Sequence, residues 1–435
     1  MQDARPPGQD QLTAEVTAAA APVPPQDVVE LFDKEVGVAY VLRVTTLGVL
    51  NYTFIQNQLP LISEFVFVNN TTVPLTDVKV KISFKFDFIE SFDKKFANVG
   101  PGKMIEIVPS LDIHAKSVFE LTESMTDRMV IRVENGDGEI LQRFSTNIVV
   151  IPLNQWSGTS LFPESIASFV MPNIPALISL KNQASEFLRK QTGESFLSGY
   201  QTGDKNFVRQ QMAAIYAAIY EQSINYAELP AAFEKRAQQV RTPNEVLAMN
   251  QGNCIEMAVL YSSLCEAFEL HPIIIIMRGH AFVGVWLTEE TFDHNVVIDY
   301  SELNKRLAEG INDIEIVEST HMNRERQAGF EQAVQKARGN LSVPENFVMA
   351  IDIYRSHMSG IRPLPLRVQI EGEIKIVDYG LADDGNQKAA VAKTIEEHFL
   401  DTTEVQTLGK RDLWMRSLLD LSLRNGLISF RPGRR

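Results

Sequence analysis

Residues 251–287 read QGNCIEMAVLYSSLCEAFELHPIIIIMRGHAFVGVWL, and the hydrophobic pattern changes within this stretch. A Gly-Asn turn at residues 252–253 ends the preceding segment, and an apolar-rich helix is predicted to begin at Cys254. Two short apolar runs follow, at residues 273–277 and 280–287, with Arg278-Gly279 between them. Runs of that length and composition are typical of buried strands. The stretch therefore predicts one helix followed by two strands that a tight turn connects.

The segment upstream predicts an antiparallel sandwich. Apolar and polar residues alternate along residues 78–84, as they do in a strand with one buried face. Residues 134–138 contain Asn-Gly and Asp-Gly, both of which tolerate the positive φ of hairpin turns. Several short strands at this spacing predict an immunoglobulin-like β-sandwich over residues 28–155.

Between the sandwich and the cysteine stretch the period becomes helical. Val208, Met212, Ile215 and Ile219 recur at spacings of three and four, which predicts one buried face on an otherwise polar helix. The sequence Thr-Pro-Asn-Glu at residues 242–245 is typical of a helix start, with a capping Thr, Pro at the first position and Glu able to close a capping box.

The second half of the chain predicts a mixture of strands and helices. Strands are expected at residues 296–298, 314–317 and 373–377, and helices at residues 324–358 and 411–425. The predicted fold class is α+β, with the immunoglobulin-like sandwich followed by an α+β domain that contains the cysteine. The predicted boundaries are a disordered tail (1–27), the sandwich (28–155), a helical segment leading into the core (156–240), the cysteine domain (241–370), and a linker with a helix that begins a following domain (371–435).

Composition excludes several classes of function. The formal net charge is −14, which argues against direct binding of nucleic acid or of an anionic membrane surface. The 2 cysteines cannot build a disulfide framework. The first residues lack the basic start and apolar run of a signal peptide, and no apolar run approaches the length of a membrane span. The expected location is the cytoplasm.

Cys254 is the candidate nucleophile. It lies where a turn meets a helix start, beside unpaired backbone N–H groups and the positive end of the helix dipole. Both features favour a thiolate, and the N–H groups are donors for an oxyanion. The alternative is a small buried residue without a chemical role. The other cysteine, Cys265, lies in mid-helix among apolar residues and is predicted to belong to the core.

His280 is the candidate proton carrier. It follows a Gly-containing turn and opens an apolar strand, so that it can be held rigidly beside a neighbouring helix terminus. A thiolate–imidazole pair needs this geometry. The alternative is a histidine that is hydrogen-bonded into the core.

A third group must accept the other ring N–H of the histidine and so fix its tautomer. Two carboxylates compete, because Asp299 and Glu318 each close a predicted strand. If the strand of His280 pairs antiparallel with a later strand, its partner belongs at the end of that strand. Too few residues connect Asp299 to the strand of His280 for it to reach back, so Glu318 is preferred and Asp299 is kept as the second candidate.

The order of cysteine, histidine and acid on helix, strand and strand resembles the transglutaminase-like branch of the papain-like cysteine enzymes. That family commonly has Gly-x-Cys before an apolar helix, then Gly-His-Ala and an aromatic residue, and later Asp-Pro-Thr. The corresponding segments here are residues 251–258, residues 279–286 and Glu318-Ser319-Thr320, with Glu in place of Asp. The resemblance covers residues 242–322 and implies a papain-like fold with these three residues in the catalytic roles.

A wider resemblance takes in nearly the whole chain. Residues 169–173, 199–201 and 361–365 resemble the front part of large bacterial proteins in which a transglutaminase-like region precedes a domain of unknown function, a helicase and a nuclease. Residues 414–425 resemble the opening of the domain that follows. The sequence has no Gly-x-x-x-x-Gly-Lys-Ser/Thr loop, so ATP hydrolysis is not expected of these residues. This resemblance implies a bacterial cell and a role in defence against phage or other foreign DNA.

These features predict a cysteine acyl-transfer enzyme. Cys254 would attack a peptide or protein amide and form a thioester. Reaction of the thioester with water would make the protein a protease or deamidase, and reaction with an amine would make it a cross-linking enzyme. Hydrolysis is the preferred interpretation. No metal or other cofactor is expected, since the remaining histidines lack metal-ligand spacing. The expected partners are the peptide or protein substrate and a helicase or nuclease module at the C-terminal end.

Two other interpretations of the sequence stay open. One is a catalytically inactive transglutaminase-like scaffold that docks a partner or regulates an attached module. The other is an incomplete product, whose Leu-rich segment from residue 418 onwards is made to pack on residues that are missing.

Overall fold

A computed structural model describes residues 31–194, 198–227, 237–326, 328–370 and 373–377. For residues 31–33, 367–370 and 373–377 it describes the backbone alone. The predicted tail at residues 1–27 and the predicted helix at residues 411–425 lie outside the described residues. The described part is a mixed α+β structure with several sheets.

The first part of the described chain is built from strands and two short helices. In chain order these elements are β1 (Leu31–Val36), β2 (Tyr40–Leu47), β3 (Val49–Leu50), α1 (Tyr52–Gln56), β4 (Ile62–Asn69), β5 (Leu75–Ser83), β6 (Phe92–Val99), β7 (Met104–Glu106), α2 (Ala115–Phe119), β8 (Met125–Glu134) and β9 (Ile140–Val150). The strands form one sheet in the order β1-β2-β4-β7 and another in the order β3-β9-β8-β5-β6. All neighbours are antiparallel except β3 and β9, which are parallel.

The two sheets share one hydrophobic core, so they form a sandwich. Alternate residues of β5, namely Val78, Val80 and Ile82, are fully buried, while the residues between them are not. They belong to the same cluster as Leu42 of β2 and Phe67 of β4 in the other sheet. Alternation along the strand is what a sheet with one covered face requires, because successive side chains point to opposite faces.

Helices and short strands follow the sandwich. They are β10 (Gln155–Trp156), a 3₁₀ helix (Pro163–Phe169), α3 (Leu177–Thr192), α4 (Lys205–Tyr220), β11 (Asn225–Tyr226), β12 (Gln238–Gln239), α5 (Pro243–Met249), β13 (Gln251–Gly252) and α6 (Cys254–Ala267). The predicted apolar stripe of α4 is buried in the cluster that also contains α6. Helix α5 begins with the predicted capping box, in which Thr242 and Glu245 bond each other's backbone N–H groups. The helices of residues 156–240 thus share a core with the cysteine stretch.

The remaining elements form the sheet that positions the site. They are β14 (Pro272–Met277), β15 (His280–Trp286), β16 (Val296–Val297), α7 (Tyr300–Leu307), β17 (Ile314–Val317), a 3₁₀ helix (Ser319–Met322), α8 (Phe330–Leu341), a 3₁₀ turn (Pro344–Asn346), β18 (Phe347–Asp352), α9 (Ile353–Met358), β19 (Leu366–Ile370) and β20 (Glu373–Val377). Five of the strands form an antiparallel sheet in the order β16-β18-β14-β15-β17. Strands β19 and β20 pair with each other.

Both faces of this five-stranded sheet are covered. Ile274 and Ile276 of β14 pack in the cluster that contains α6. Ile273 and Ile275 of the same strand pack in a second cluster, with residues of α7 and α8. A strand that is buried on both faces needs apolar residues at every position, which explains the unbroken Ile run.

Strand β18 was not predicted, since residues 324–358 were interpreted as one helical stretch. The structure has α8 and α9 in this stretch with β18 between them, paired on both sides with β14 and β16. The helical prediction for residues 347–352 was therefore wrong. In a short apolar run such as residues 347–352, the hydrophobic pattern does not distinguish a strand from a helix. Pairing with the two neighbouring strands determines the conformation instead.

Asp352 closes β18 and is fully buried. Its carboxylate accepts hydrogen bonds from Trp286 Nε1 (3.1 Å), Phe292 N (3.0 Å) and Arg355 N (2.9 Å). Burial nevertheless raises the pKa of Asp352 to about 6, because loss of water disfavours the charged form more than these bonds favour it.

The raised pKa of Asp352 predicts a pH dependence of stability. The folded carboxyl retains its proton at pH values where the unfolded one has lost it. Its contribution to stability is therefore complete below about pH 3.8 and is lost as the pH rises through about 6. We expect the free energy of unfolding of the wild type, relative to Asp352→Asn, to fall between pH 4.5 and 6.5 by at most about 1.4 kcal/mol per pH unit.

Urea unfolding across that pH range measures this difference. Asp299→Asn is the matched control, because hydrogen bonding to Ser301 lowers the pKa of the exposed Asp299 and its titration falls below the range. A wild-type minus Asp352→Asn difference that is as flat as the control would contradict the prediction.

Candidate active site

Cys254 is the first residue of α6, and the residues around it fix the start of the helix. The Asn253 side chain accepts a hydrogen bond from Glu256 N (3.1 Å), and the Glu256 side chain accepts one from Asn253 N (2.9 Å). This capping box uses the N–H groups of Asn253 and Glu256. The N–H groups of Cys254 and Ile255, at the first two helical positions, have no partner within the helix. They are available as donors next to the sulfur.

Glu256 also anchors the helix start to the preceding loop. Its carboxylate is fully buried and accepts from Arg241 Nε (2.9 Å), Arg241 Nη2 (2.8 Å) and Arg241 N (2.9 Å). Two parallel N–H donors from one guanidinium give a bidentate ion pair with a defined orientation. The position of Cys254 therefore depends on a buried ion pair that the sequence analysis did not identify.

His280 is the first residue of β15, after a turn in which Gly279 has a φ of 70°. Its Nε2 atom donates to Glu318 Oε2 at 2.7 Å. Burial by itself lowers the pKa of His280, but hydrogen bonding with the side chains of Cys254 and Glu318 raises it to about 10. With Nε2 committed to Glu318, Nδ1 is the ring nitrogen left for the sulfur.

Glu318 follows β17 directly, and strand pairing brings it to His280. In the antiparallel register Val283 of β15 lies opposite Val317 of β17, so the end of β17 lies beside the start of β15. The residue is 1 % exposed. Burial alone would raise the pKa of its carboxyl, but the hydrogen bond and charge of His280 and the donors of Thr320 lower it below the ordinary value.

Three more donors hold the Glu318 carboxylate. Thr320 donates to Oε1 from its backbone N (3.1 Å) and from Oγ1 (2.8 Å), and Asn340 Nδ2 on α8 donates to Oε2 (2.8 Å). Arg326 Nη1 in turn donates to Thr320 Oγ1 (2.6 Å). A buried carboxylate with this many donors is fixed in one orientation.

The same loop reaches the cysteine. Ser319, between Glu318 and Thr320, donates from Oγ to the backbone oxygen of Cys254 at 3.5 Å. The start of α6, the start of β15 and the end of β17 therefore meet at one place. The structure brings Cys254, His280 and Glu318 together there.

Asp299, the second candidate for the third group, is not brought to His280. It is exposed, and its side chain accepts from Ser301 N (2.8 Å) as the cap of α7. Its strand β16 is at the edge of the sheet, with β18 and β14 between it and β15. Three strand spacings amount to about 14 Å. The β18 strand, which the sequence analysis missed, is one of the two that separate Asp299 from the histidine.

Two supporting residues were missed in the sequence. Asn340 lies 22 residues after Glu318 on another element, and no spacing rule connects the two. Arg326 was counted only as part of a predicted helix. Thr320 was named in the sequence as part of the segment that resembles Asp-Pro-Thr, but its role as a donor to Glu318 was not predicted.

Cys265, in contrast, is fully buried in α6, and burial raises the pKa of its thiol well above the ordinary value. It belongs to the core, as predicted. Both cysteines are free thiols.

The chain matches no protein-family model and no curated protein. In the described ranges, no three His, Cys, Asp or Glu side chains are grouped so that they could hold a metal ion. None of the helices described is long and apolar enough to cross a membrane.

Removal of Arg241 is predicted to destabilise the fold strongly. Arg241→Met would leave the Glu256 carboxylate buried without a counter-charge, and loss of one partner of a buried ion pair costs about 3–5 kcal/mol. We expect chemical denaturation to show a loss of this size. Arg189→Met, which breaks the exposed pair between Arg189 and Glu186, is the matched control and should change stability little. Equal effects of the two substitutions would contradict the prediction.

Proposed function

We propose that this protein is a transglutaminase-like cysteine acyl-transfer enzyme that hydrolyses a peptide or protein amide through a thioester on Cys254. The observation that supports it most is the 2.7 Å hydrogen bond from His280 Nε2 to the buried Glu318, in a histidine that also interacts with the Cys254 side chain. A sulfur, an imidazole and a buried carboxylate in this order are the parts that thiol-dependent acyl transfer requires.

The proposed roles follow from the contacts of each residue. His280, held protonated by Glu318, places a positive charge beside the sulfur and so favours the thiolate. The thiolate attacks the carbonyl carbon of the amide, and the N–H groups of Cys254 and Ile255 are positioned to stabilise the resulting oxyanion. The imidazolium then gives its proton to the leaving nitrogen, the C–N bond breaks, and a thioester remains.

Water resolves the thioester in the second half of the reaction. Neutral His280 takes a proton from the water, whose oxygen attacks the thioester carbonyl. The C–S bond breaks, the carboxylic acid leaves, and the thiolate–imidazolium pair is restored. An amine in place of water would give cross-linking. We propose hydrolysis because it needs no second binding site for an amine substrate.

The wider assignment rests on sequence resemblance. We propose that the sandwich is of the immunoglobulin-like type, that the five-stranded sheet with α6 is a transglutaminase-like domain, and that the chain acts in the bacterial cytoplasm next to a helicase–nuclease module in phage defence. The two-sheet sandwich and the position of α6 against β14 and β15 are compatible with this arrangement.

A catalytically inactive scaffold is the second candidate, and one observation favours it. Only 8 % of the Cys254 surface is exposed, which leaves little of the residue open to a substrate. In that case the same domain would dock a partner or regulate an attached module.

Alkylation of Cys254 distinguishes the two candidates. If His280 forms an ion pair with the sulfur, we expect iodoacetamide to modify Cys254 between pH 5 and 7 at least about tenfold faster than it modifies a free cysteine derivative. His280→Ala should abolish this advantage, and His294→Ala, which removes an exposed histidine, should retain it. Mass spectrometry of the peptides separates Cys254 from the buried Cys265. A Cys254 rate no faster than that of the free thiol would leave the scaffold as the better interpretation.

The role of Glu318 is testable in the same assay. Glu318→Gln retains the shape of the side chain but removes the charge that keeps His280 protonated. We expect the Cys254 alkylation rate at pH 6 to fall roughly tenfold. Glu309→Gln, on the exposed surface, is the control and should leave the rate unchanged. If both variants alkylate at the wild-type rate, Glu318 does not orient His280.

A further inference from the structure

Four cationic residues lie on segments that adjoin the candidate triad, namely the turn before His280, the loop after Glu318 and helix α8. Arg278, Arg324, Arg326 and Lys336 are all exposed, and none of them forms an ion pair with a carboxylate in the part of the chain that the structure describes. We call these four residues the basic rim. Such a cluster is unexpected in a chain with a formal net charge of −14.

Arg326 is connected to the triad by hydrogen bonds. Its Nη1 donates to Thr320 Oγ1 (2.6 Å), Thr320 Oγ1 donates to Glu318 Oε1 (2.8 Å), and Glu318 accepts from His280. The guanidinium also lies over the ring of Tyr226, 4.8 Å from its centroid. These contacts hold the head group, and the residue is exposed, so a guanidinium with five N–H donors is accessible to solvent there.

Tyr226 connects Arg326 to the approach to the cysteine. It belongs to β11, which pairs with β13, and β13 ends two residues before Cys254. The Arg326 guanidinium therefore lies over the strand next to the one that leads into the candidate nucleophile.

Lys336 lies on α8, the helix that supplies Asn340. It is one helical turn before Asn340 on α8, so that the two side chains are neighbours on the helix surface. Asn340 donates to Glu318. His321, the next residue of the loop after Thr320, has its pKa lowered by burial first, with the charges of Arg326 and Lys336 also lowering it and Glu318 opposing them. The two cations thus act on one imidazole beside the triad.

Acidic residues neutralise the basic rim only in part. Glu325 is exposed beside Arg324 and Arg326 in sequence, and its Oε2 accepts from Tyr226 N (3.1 Å). Glu345 precedes Asn346, whose backbone oxygen accepts from Arg278 N. The four cations outnumber these two exposed carboxylates, and Arg326 and Lys336 are the two whose hydrogen bonding or charge acts on the Glu318 loop.

We propose that the basic rim selects acidic segments of a peptide or protein substrate, so that Asp- or Glu-rich sequence beside the scissile amide is bound by Arg326 and Lys336. This inference rests on the proposed function, since it concerns the substrate of the same site. Guanidinium and ammonium donors with free N–H groups match carboxylates in charge and in hydrogen bonding. A cluster of one sign beside a site also raises the local concentration of ligands of the opposite sign.

A peptide fits the observations better than a nucleic acid. The positive charge is confined to the rim of a site whose nucleophile acts on carbonyl groups, whereas the chain as a whole is acidic and would repel a phosphate backbone beyond the rim. Preferential binding of a nucleic acid is one of the results that the following experiment can detect.

The experiment uses the full chain with Cys254→Ala, so that binding is measured without turnover. Fluorescence anisotropy compares three labelled peptides of one length, each with a central Gln flanked by Glu, by Ser or by Lys, together with a labelled single-stranded oligonucleotide. We expect the Glu peptide to bind about tenfold more tightly than the Lys peptide at low salt. The preference should disappear at about 0.5 M salt because exposed charges are then screened.

Three further variants locate the binding. Lys336→Glu and Arg326→Gln should each weaken binding of the Glu peptide about threefold or more. Lys305→Glu, the same change of charge at an exposed position of α7, a helix that contributes no residue to the candidate triad, is the matched control and should have no effect. Thermal unfolding of each variant shows whether it is folded.

A second measurement tests the rim on the native cysteine. The ratio of alkylation rates of Cys254 with iodoacetate and with iodoacetamide reports the local potential and cancels the intrinsic reactivity of the thiol. Lys336→Glu should lower this ratio about threefold. Loss of fast alkylation with an unchanged peptide preference would count against the proposed function but not against the rim.

The proposal is overturned by equal binding of the three peptides, by undetectable binding of all of them, or by a Lys305→Glu effect as large as that of Lys336→Glu. Tighter binding of the oligonucleotide than of the Glu peptide would overturn it in favour of a nucleic-acid ligand.

Discussion

The candidate site depends on the burial of one carboxylate. Glu318 is almost completely removed from water, and an isolated charge in that position would be strongly unfavourable. It is stabilised because His280, Thr320 and Asn340 supply four hydrogen bonds to its two oxygens. These donors come from β15, from the loop after β17 and from α8. The hydrogen bonds to this one buried carboxylate therefore hold β15, the loop after β17 and α8 in fixed relative positions. They also set the orientation of the His280 ring.

The cysteine is positioned by a second buried carboxylate. Glu256 closes the capping box of α6 and forms the bidentate pair with Arg241, so the same oxygens fix both the start of the helix and the loop that leads to it. Because the capping box uses the N–H groups of Asn253 and Glu256, those of Cys254 and Ile255 stay available. This helix end therefore presents two N–H donors without a partner within the helix, an arrangement that electrostatically favours a negatively charged oxygen.

The sheet supplies the rigid frame for these two networks. It is covered on both faces by apolar side chains, and the polar residues of the site lie at its end, where α6, β15 and β17 meet. Side chains on the ends of packed elements are held more precisely than those on free loops. The exposed cations follow the same division, since Arg324, Arg326 and Lys336 lie on the loop and helix that follow Glu318 and Arg278 lies in the turn between β14 and β15.

The sequence by itself determined the local features. The length and composition of two apolar runs in residues 273–287 predicted two strands. The capping residues predicted the start of α5, the Gly-Asn turn predicted the start of α6, and antiparallel pairing pointed to the end of a later strand for the partner of His280. These features depend on residues that are close together in the chain, so the local sequence pattern predicts them. Asn340, the Arg241–Glu256 pair and strand β18 were decided only by the tertiary structure. Each of them depends on contacts between residues far apart in the chain, where partner strands and buried charge, rather than local propensity, fix the conformation.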